Sequence, residues 1–213
     1  MVAGRVQTID PTFEPVHALA DGSQVRLDLI GPLDRNDLVA GFDGLSRRSR
    51  YLRFFSAMPQ LSGPLLDSLL NTDRDHHVAI GARLLDPAGR VAAPIVGVAR
   101  YFRVADGALD TAEPAVAVID RLHGRGLGRL LLKALTRHAR ARGITKMRAH
   151  ALADNARIRQ ILRASEAVPV EQDGPVMVYD VDIRSRKRRE SLVELGMLYR
   201  ESSNSASTKP KRS

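Results

Sequence analysis

Val116-Ala117-Val118-Ile119, the connector Asp120-Arg121-Leu122, HGRGLG at 123–128 and RLLLKALTRHAR at 129–140 follow one another through the middle of the chain. The first four residues are small or β-branched and apolar, which reads as a buried strand; the glycines at 124, 126 and 128 read as a turn; the remainder has a helical period. Leu127, Leu130, Leu131, Ala134, Leu135, His138 and Ala139 share one helical face, and Arg129, Lys133, Arg137 and Arg140 occupy the other. One side of this helix is therefore expected to pack on a sheet. The amides of its first turn lack intrahelical acceptors, and three glycines without Cβ atoms let a ligand reach that backbone. Strand, glycine turn and helix N-terminus in this order make a phosphate cradle.

The spacing then chooses among glycine loops. A Walker A loop requires Lys-Ser/Thr after its last glycine, whereas Gly128 is followed by Arg129-Leu130. A dinucleotide fold requires GxGxxG directly off the strand and an acid about 20 residues further on. Here GxGxG follows Ile119 after a four-residue gap, and Arg148, Ala149 and His150 stand where the acid belongs. What remains is a pyrophosphate loop with an extra connecting segment. On these residues the sequence resembles the GNAT superfamily of acyl-CoA-dependent N-acyltransferases, in whose central motif a Gln or Arg precedes Gly-x-Gly-x-Gly/Ala. Gly124-Arg125-Gly126-Leu127-Gly128 match that motif, with His123 at the Gln/Arg place. The resemblance implies acetyl-CoA as co-substrate and no metal. It also implies that the amides of about residues 124–129 bind the pyrophosphate, and that the strand edge from Val116 through Val118 to Ile119 pairs with the pantetheine arm.

The 213 residues suffice for one α/β domain with a substantial core. Hydrophobic residues make up 44% of the chain, yet no apolar run approaches the ~20 residues that span a bilayer. MVAGRVQTIDP has neither the basic start nor the apolar centre of a signal peptide, so a cytoplasmic protein without membrane association is expected. The absence of cysteine excludes disulfides, thiolate metal sites and a cysteine nucleophile. Of the formal net charge of +9, residues 184–213 carry +6, leaving a nearly balanced body. With 4% aromatic residues and no tryptophan, that body has little equipment for stacking bases, so nucleic acid is expected at most to meet the basic tail weakly.

Outward from the central stretch, Pro11, Pro15 and Gly22 mark residues 1–22 as an N-terminal arm, and Val25, Leu27 and Leu29 alternate with polar residues in a first strand over 23–30. Asp34 is placed to cap a helix over 35–44, Ser46 a second over 47–56, and Ser62-Gly63-Pro64 opens a third that ends at Leu70. The period then changes. Residues 77–85, 94–104 and 108–119, separated by turns at Asp86-Pro87-Ala88-Gly89 and near Asp106-Gly107, read as an antiparallel meander. Gly143 ends the central helix, and 144–152 supplies a strand parallel to 115–119 through a right-handed crossover. A helix over 154–165 and a hairpin of 168–172 with 176–183 complete the order. The expected class is α/β (α+β): a GNAT fold over 23–183, with a mixed, mostly antiparallel twisted sheet, a central βαβ unit, flanking helices, and a basic tail over 184–213.

A narrower likeness lies in LSRRSRYLRFF, HHVAIGARLL, VGVARYF, Ala112-Glu113 and HGRGLG, which resemble, in the same order, the acyltransferase domain of Pat-type protein lysine acetyltransferases. Their attached sensing or synthetase-like domain has no counterpart in these residues. The likeness implies that Glu113, ten residues before His123, is the catalytic glutamate. Chemistry agrees that a base is needed, because lysine has an unperturbed pKa near 10.4 and attacks a thioester only after losing a proton. The apolar neighbours Ala112, Pro114, Ala115 and Val116 are expected to desolvate Glu113, although a solvent-facing strand residue is the alternative. Pro114 removes one ladder donor and marks a bulge or edge. An N–H near Val118 or Ile119 is expected to polarise the thioester carbonyl.

Arg129, in the first helical turn where a cation is otherwise disfavoured, is the better phosphate partner than Arg125. Asn155 matches the family's asparagine, which implies a hydrogen bond to the coenzyme; it can equally cap its helix. The family's tyrosine acid falls at Leu162, so no tyrosine acid is available. Ser49, Tyr51 and Arg53 are candidates for the acceptor cleft, with Tyr51, Phe54 and Phe55 also readable as core. Adjacent His76 and His77 point to opposite faces, and His123, His138 and His150 lack metal-ligand spacing. The sequence thus supports transfer of an acetyl (acyl) group from acetyl-CoA to an amine, with protein lysine as the favoured acceptor. A small-molecule amine acceptor and a non-catalytic acyl-CoA-binding module are the alternatives.

Overall fold

The computed structural model describes residues 14–104, 109–153, 162–163 and 166–185. Their strands are β1 (Val16–Ala18), β2 (Gln24–Leu29), β3 (His77–Leu85), β4 (Val91–Arg103), β5 (Thr111–Val118), β6 (Lys146–Leu152), β7 (Val168–Asp173) and β8 (Val176–Asp182). The helices are α1 (Arg35–Asp43), α2 (Arg47–Phe54), α3 (Gly63–Leu70) and α4 (Leu127–Ala141). All eight strands lie in one sheet, ordered β1-β2-β3-β4-β5-β6-β8-β7. Every neighbour pairs antiparallel except β5 with β6, which run parallel. No helix among the described residues is long and apolar enough to cross a membrane.

The sheet extends past the boundary expected at residue 23. Val16, His17 and Ala18 pair with Arg26, Val25 and Gln24, and Leu19 is buried, so a three-residue edge strand lies inside what reads as an arm. The helix expected over 154–165, the arm up to residue 13 and the tail from residue 186 lie outside the described residues.

Each face of the sheet is covered by helix. On one side α4 lays Leu127, Leu131, Leu135 and Ala139 against Val78, Ile80 and Ala99. Gly97 makes this approach possible, since a Cβ there would stand 2.9 Å from a Leu131 methyl. On the other side Leu38, Leu66, Leu69 and Leu70 of α1 and α3 pack with Ile30, Ala79 and Ile95. A Cβ on Gly41 would lie 2.5 Å from the Ile95 carbonyl oxygen, so α1 crosses β4 at backbone contact.

Asp34 does not cap α1 with its side chain. Its carboxylate accepts from the Gly31 N–H (2.9 Å) and pairs instead with Arg83, which also reaches Asp37 (3.0 Å) and Asp28 (3.3 Å). A cation whose side chain is 1% exposed takes the capping carboxylate because a charge removed from water requires counter-charge. This cluster fixes the start of α1 on β3. Arg83→Met should leave Asp34 buried without its cation and lower stability by about 3–5 kcal/mol. Urea unfolding followed by circular dichroism checks it, and an unchanged midpoint contradicts it.

Candidate active site

The centre of the sheet opens along β5. β4 and β5 pair from Gly97–Val118 to Arg103–Ala112, and the Ile119 N–H donates to the Val96 carbonyl at 3.0 Å. Strand alternation therefore aims the backbone groups of residues 113, 115, 117 and 119 at β4, and those of 112, 114, 116 and 118 at β6. Yet β6 meets β5 only at Thr111–Lys146 and Ala112–Met147. The parallel pairing expected along 115–119 is not formed. Beyond Ala112 the strands diverge, and among the described residues the edge carried by Pro114, Val116 and Val118 has no strand beside it. Pro114 belongs to this geometry: its missing N–H lies on the edge that has no ladder, so the ring costs no hydrogen bond.

At the far end of the edge, the Val118 carbonyl meets His123 Nε2 at 2.7 Å. The Ile119 side chain is buried and its N–H is committed to β4, so of the two candidate amides only that of Val118 faces the opening. Gly124 and Gly126 have φ of +84° and +86°, in the left-handed region, and Gly126 is the N-cap of α4. A Cβ built on Gly126 would meet nothing within 4 Å, so the loop presents bare backbone to open space. The first bond of α4 runs from the Leu130 N–H to the Gly126 carbonyl, so the amides of Leu127, Gly128 and Arg129 precede it. Leu127 and Gly128 are buried and Arg129 is exposed. Arg125 pairs with Asp21, and its carbonyl accepts from the Ala20 N–H at 3.0 Å, which ties the β1–β2 turn to the loop.

At the near end stands Glu113, the first residue beyond the last β5–β6 pair. Glu113 is only half-buried: Ala112 and Pro114 point to the opposite face, and its side chain is 44% exposed. His150 of β6 lies across the opening, its Nε2 3.5 Å from Glu113 Oε1. Hydrogen bonding to Glu113 raises the His150 pKa, with burial acting against it. His150 is a site neighbour that spacing alone does not reveal, because it and Glu113 are brought together only where two parallel strands part.

The Glu113 face of β5 continues through Ala115 and Ala117 into a cleft beneath α1 and α2. Arg53, Phe54, Val98 and Arg100 also line it. Ser49 does not reach this cleft: it is buried, donating to Asp120 at 2.9 Å, while the Ser46 N–H donates to the other Asp120 oxygen at 2.8 Å. Burial acts to raise the Asp120 pKa, but these hydrogen bonds outweigh it and hold the carboxyl below the usual range. Tyr51 and Phe55 are exposed rather than core. Asn155 lies outside the described residues.

Residues 50–163 match the acetyltransferase (GNAT) family, and the chain belongs to it. It is 31% identical over 132 residues to acetyltransferase Pat of Mycolicibacterium smegmatis, a match covering 62% of this chain and 38% of that protein. The chain thus corresponds to well under half the length of this relative. The GNAT domain of S. lividans PAT superposes with a TM-score of 0.69 at 25% identity, over 82% of this chain and 99% of that one. An acetyltransferase from Salmonella typhimurium solved with acetyl-CoA shares the fold, with a TM-score of 0.53 at 15% identity over 75% of this chain and 94% of that one.

Two outcomes are expected. The His150 titration, followed by NMR, should have its midpoint above the ordinary 6.5, and Glu113→Gln should bring it back. The raised folded value means that the pair stabilises fully below pH 6.5 and loses that contribution as pH rises through the folded midpoint. A wild-type midpoint at or below 6.5 contradicts the pairing. For the loop, Gly126→Val should weaken acetyl-CoA binding more than tenfold in calorimetry, since a β-branched residue resists φ of +86° and fills the open space. Unchanged affinity in a folded variant contradicts the cradle.

Proposed function

We propose that this chain transfers an acetyl group from acetyl-CoA to a primary amine, with protein lysine as acceptor and Glu113 as general base, in a direct attack within a ternary complex. The observation that carries this reading is the opening that starts at Glu113 and ends at the glycine loop. From Glu113 to Val118 the strand rises about 17 Å. Along that length Val116 offers its N–H and C=O, and Val118 its N–H, to an extended arm that bears amides of its own. The lysine acceptor is supported by the likeness to acetyltransferase Pat, and the family supports acetyl-CoA as donor.

In this reading the amides of Leu127, Gly128 and Arg129, at the positive end of α4, hold the pyrophosphate, with the Arg129 side chain beside them. His123 fixes the loop to the strand through the Val118 carbonyl. Pantetheine amides bond to Val116 and Val118, and an N–H of this edge stabilises the negative charge that develops on the thioester oxygen. The acceptor amine enters from the cleft side. Glu113 takes its proton as the nitrogen attacks, directly or through one water, and His150 keeps the carboxylate oriented toward the opening. The thiolate of coenzyme A leaves without a strong acid. None is required from Leu162, which is buried in the core.

A small-molecule amine acceptor uses the same machinery. A non-catalytic acyl-CoA-binding module would use the cradle alone and leave Glu113 idle. Incubation with acetyl-CoA and a mixed panel of lysine peptides and small amines, followed as free thiol, separates turnover from binding. Glu113→Gln should hold acetyl-CoA affinity within a few fold and lower kcat/KM by about 10² or more. The variant's rate should follow the free-amine fraction and keep rising with pH toward the amine pKa near 10.4, while the wild-type rate levels off earlier. A variant with wild-type rate and an unshifted profile contradicts Glu113 as the base.

A further inference from the structure

Arg100 sits on a central strand, 3% exposed, in the floor of the cleft beside Glu113. Its Nη1 donates to the Leu69 carbonyl at 2.8 Å and lies 3.3 Å from His77 Nε2. His77 supplies no counter-charge. Its Nδ1 is 2.9 Å from the Asn71 carbonyl and its ring stacks on Phe102 at 3.9 Å. This leaves Nε2 as the acceptor of a neutral ring, and burial, with Arg100 beside it, lowers the His77 pKa. Among the described residues no carboxylate pairs with Arg100. Burial first, and then the charge of Arg53, pull its pKa down to about 9. The charged neighbour that Arg100 does have is therefore a second cation.

Both arginines line one cleft whose other walls include Leu38, Phe42, Leu61, Ile95, Ala115 and Ala117. A guanidinium carries five N–H donors, and the bonds of Arg100 to protein groups among the described residues use Nη1 alone. Nε and Nη2 are not sealed away either, since among the described residues the buried side-chain atom left without a hydrogen bond is His138 Nε2. A cation taken from water without counter-charge is costly, and apolar walls concentrate its field on whatever enters. Its place relative to the reaction is fixed by register. Arg100 opposes Ala115, and Phe102 opposes Glu113, so Arg100 and Glu113 are diagonal neighbours on one face, with Cα atoms about 7–8 Å apart.

We propose that the acceptor is a primary amine with a carboxylate held within one side chain's reach of the reacting nitrogen, and that Arg100 and Arg53 bind this carboxylate while Glu113 receives the amine. The inference rests on the acyltransferase reading and narrows its acceptor. A planar guanidinium takes a carboxylate through two parallel N–H···O bonds, which fixes orientation as well as charge. The carboxylate can come from a free amino acid-like molecule or from an acidic residue next to a target lysine.

The test uses the full chain, saturating acetyl-CoA and initial rates of thiol release on matched acceptors. One arm compares 4-aminobutanoate with butylamine, and the other a Lys-Glu with a Lys-Gln peptide. At least one pair should favour its carboxylated member by tenfold or more in kcat/KM, and the pair that does so identifies the source. That ratio should fall toward one in Arg100→Met and in Arg53→Gln; the second variant lies on α2 and keeps the test usable if the first does not fold. Turnover without a carboxylate preference in either pair overturns this inference alone. A ratio retained in Arg53→Gln and in any folded Arg100→Met overturns it as well, as does a preference that appears for succinyl-CoA over acetyl-CoA instead. No thiol release with any acceptor overturns the acyltransferase reading, and this inference with it.

Discussion

The structure depends on a strand that is hydrogen-bonded on one edge and open on the other. Through 111 and 112 β5 is an ordinary interior strand, and beyond Ala112 its second edge faces the space that β6 has left. Open backbone edges in mid-sheet invite pairing, and proteins commonly cover or blunt them. Here the edge is kept open by Pro114, whose missing donor prevents a ladder at the point of divergence, and by β6 turning away to complete seven antiparallel pairs with β8. An extended ligand arm with amide groups is the natural partner for such an edge.

The rest of the fold holds that opening in place. α4 is seated on one face through Gly97, which sets where its N-terminus and the glycine loop lie relative to Val118. α1 is seated on the other face at Gly41 and anchored by Arg83, which sets the wall of the cleft. Asp120, held by Ser46 and Ser49, joins α2 to the segment between β5 and the loop. The donor side and the acceptor side are therefore built from different helices on opposite faces, and the strand between them is shared. Glu113 stands where the two sides meet.

Much of this was legible in the sequence, for physical reasons. Helix α4 announces itself because one face must be apolar to pack and the other faces solvent, and β2 because Val25 and Leu27 alternate with polar residues. The glycine loop is legible because φ near +85° excludes most other residues. What was not legible depends on chain reversal over long separations. Val16–Ala18 is too short to show a period, and the divergence after Ala112 is a property of two strands together. Ser49 looks like a cleft residue until Asp120, 71 residues away, claims its hydroxyl. Arg83 and Arg100 sit in apolar strands, where composition gives no sign of whether a cation finds carboxylates, as Arg83 does, or reaches a cleft, as Arg100 does.

The central claim is that acetyl-CoA lies along the open edge of β5. Residue-resolved amide hydrogen exchange, with and without acetyl-CoA, tests it most directly. The account predicts that the coenzyme slows exchange at Val116 and Val118, whose amides face the opening, and changes little at Ala115, Ala117 and Ile119, whose amides are already bonded to β4. Added protection spread evenly along 115–119, or none on this strand despite binding, would contradict it.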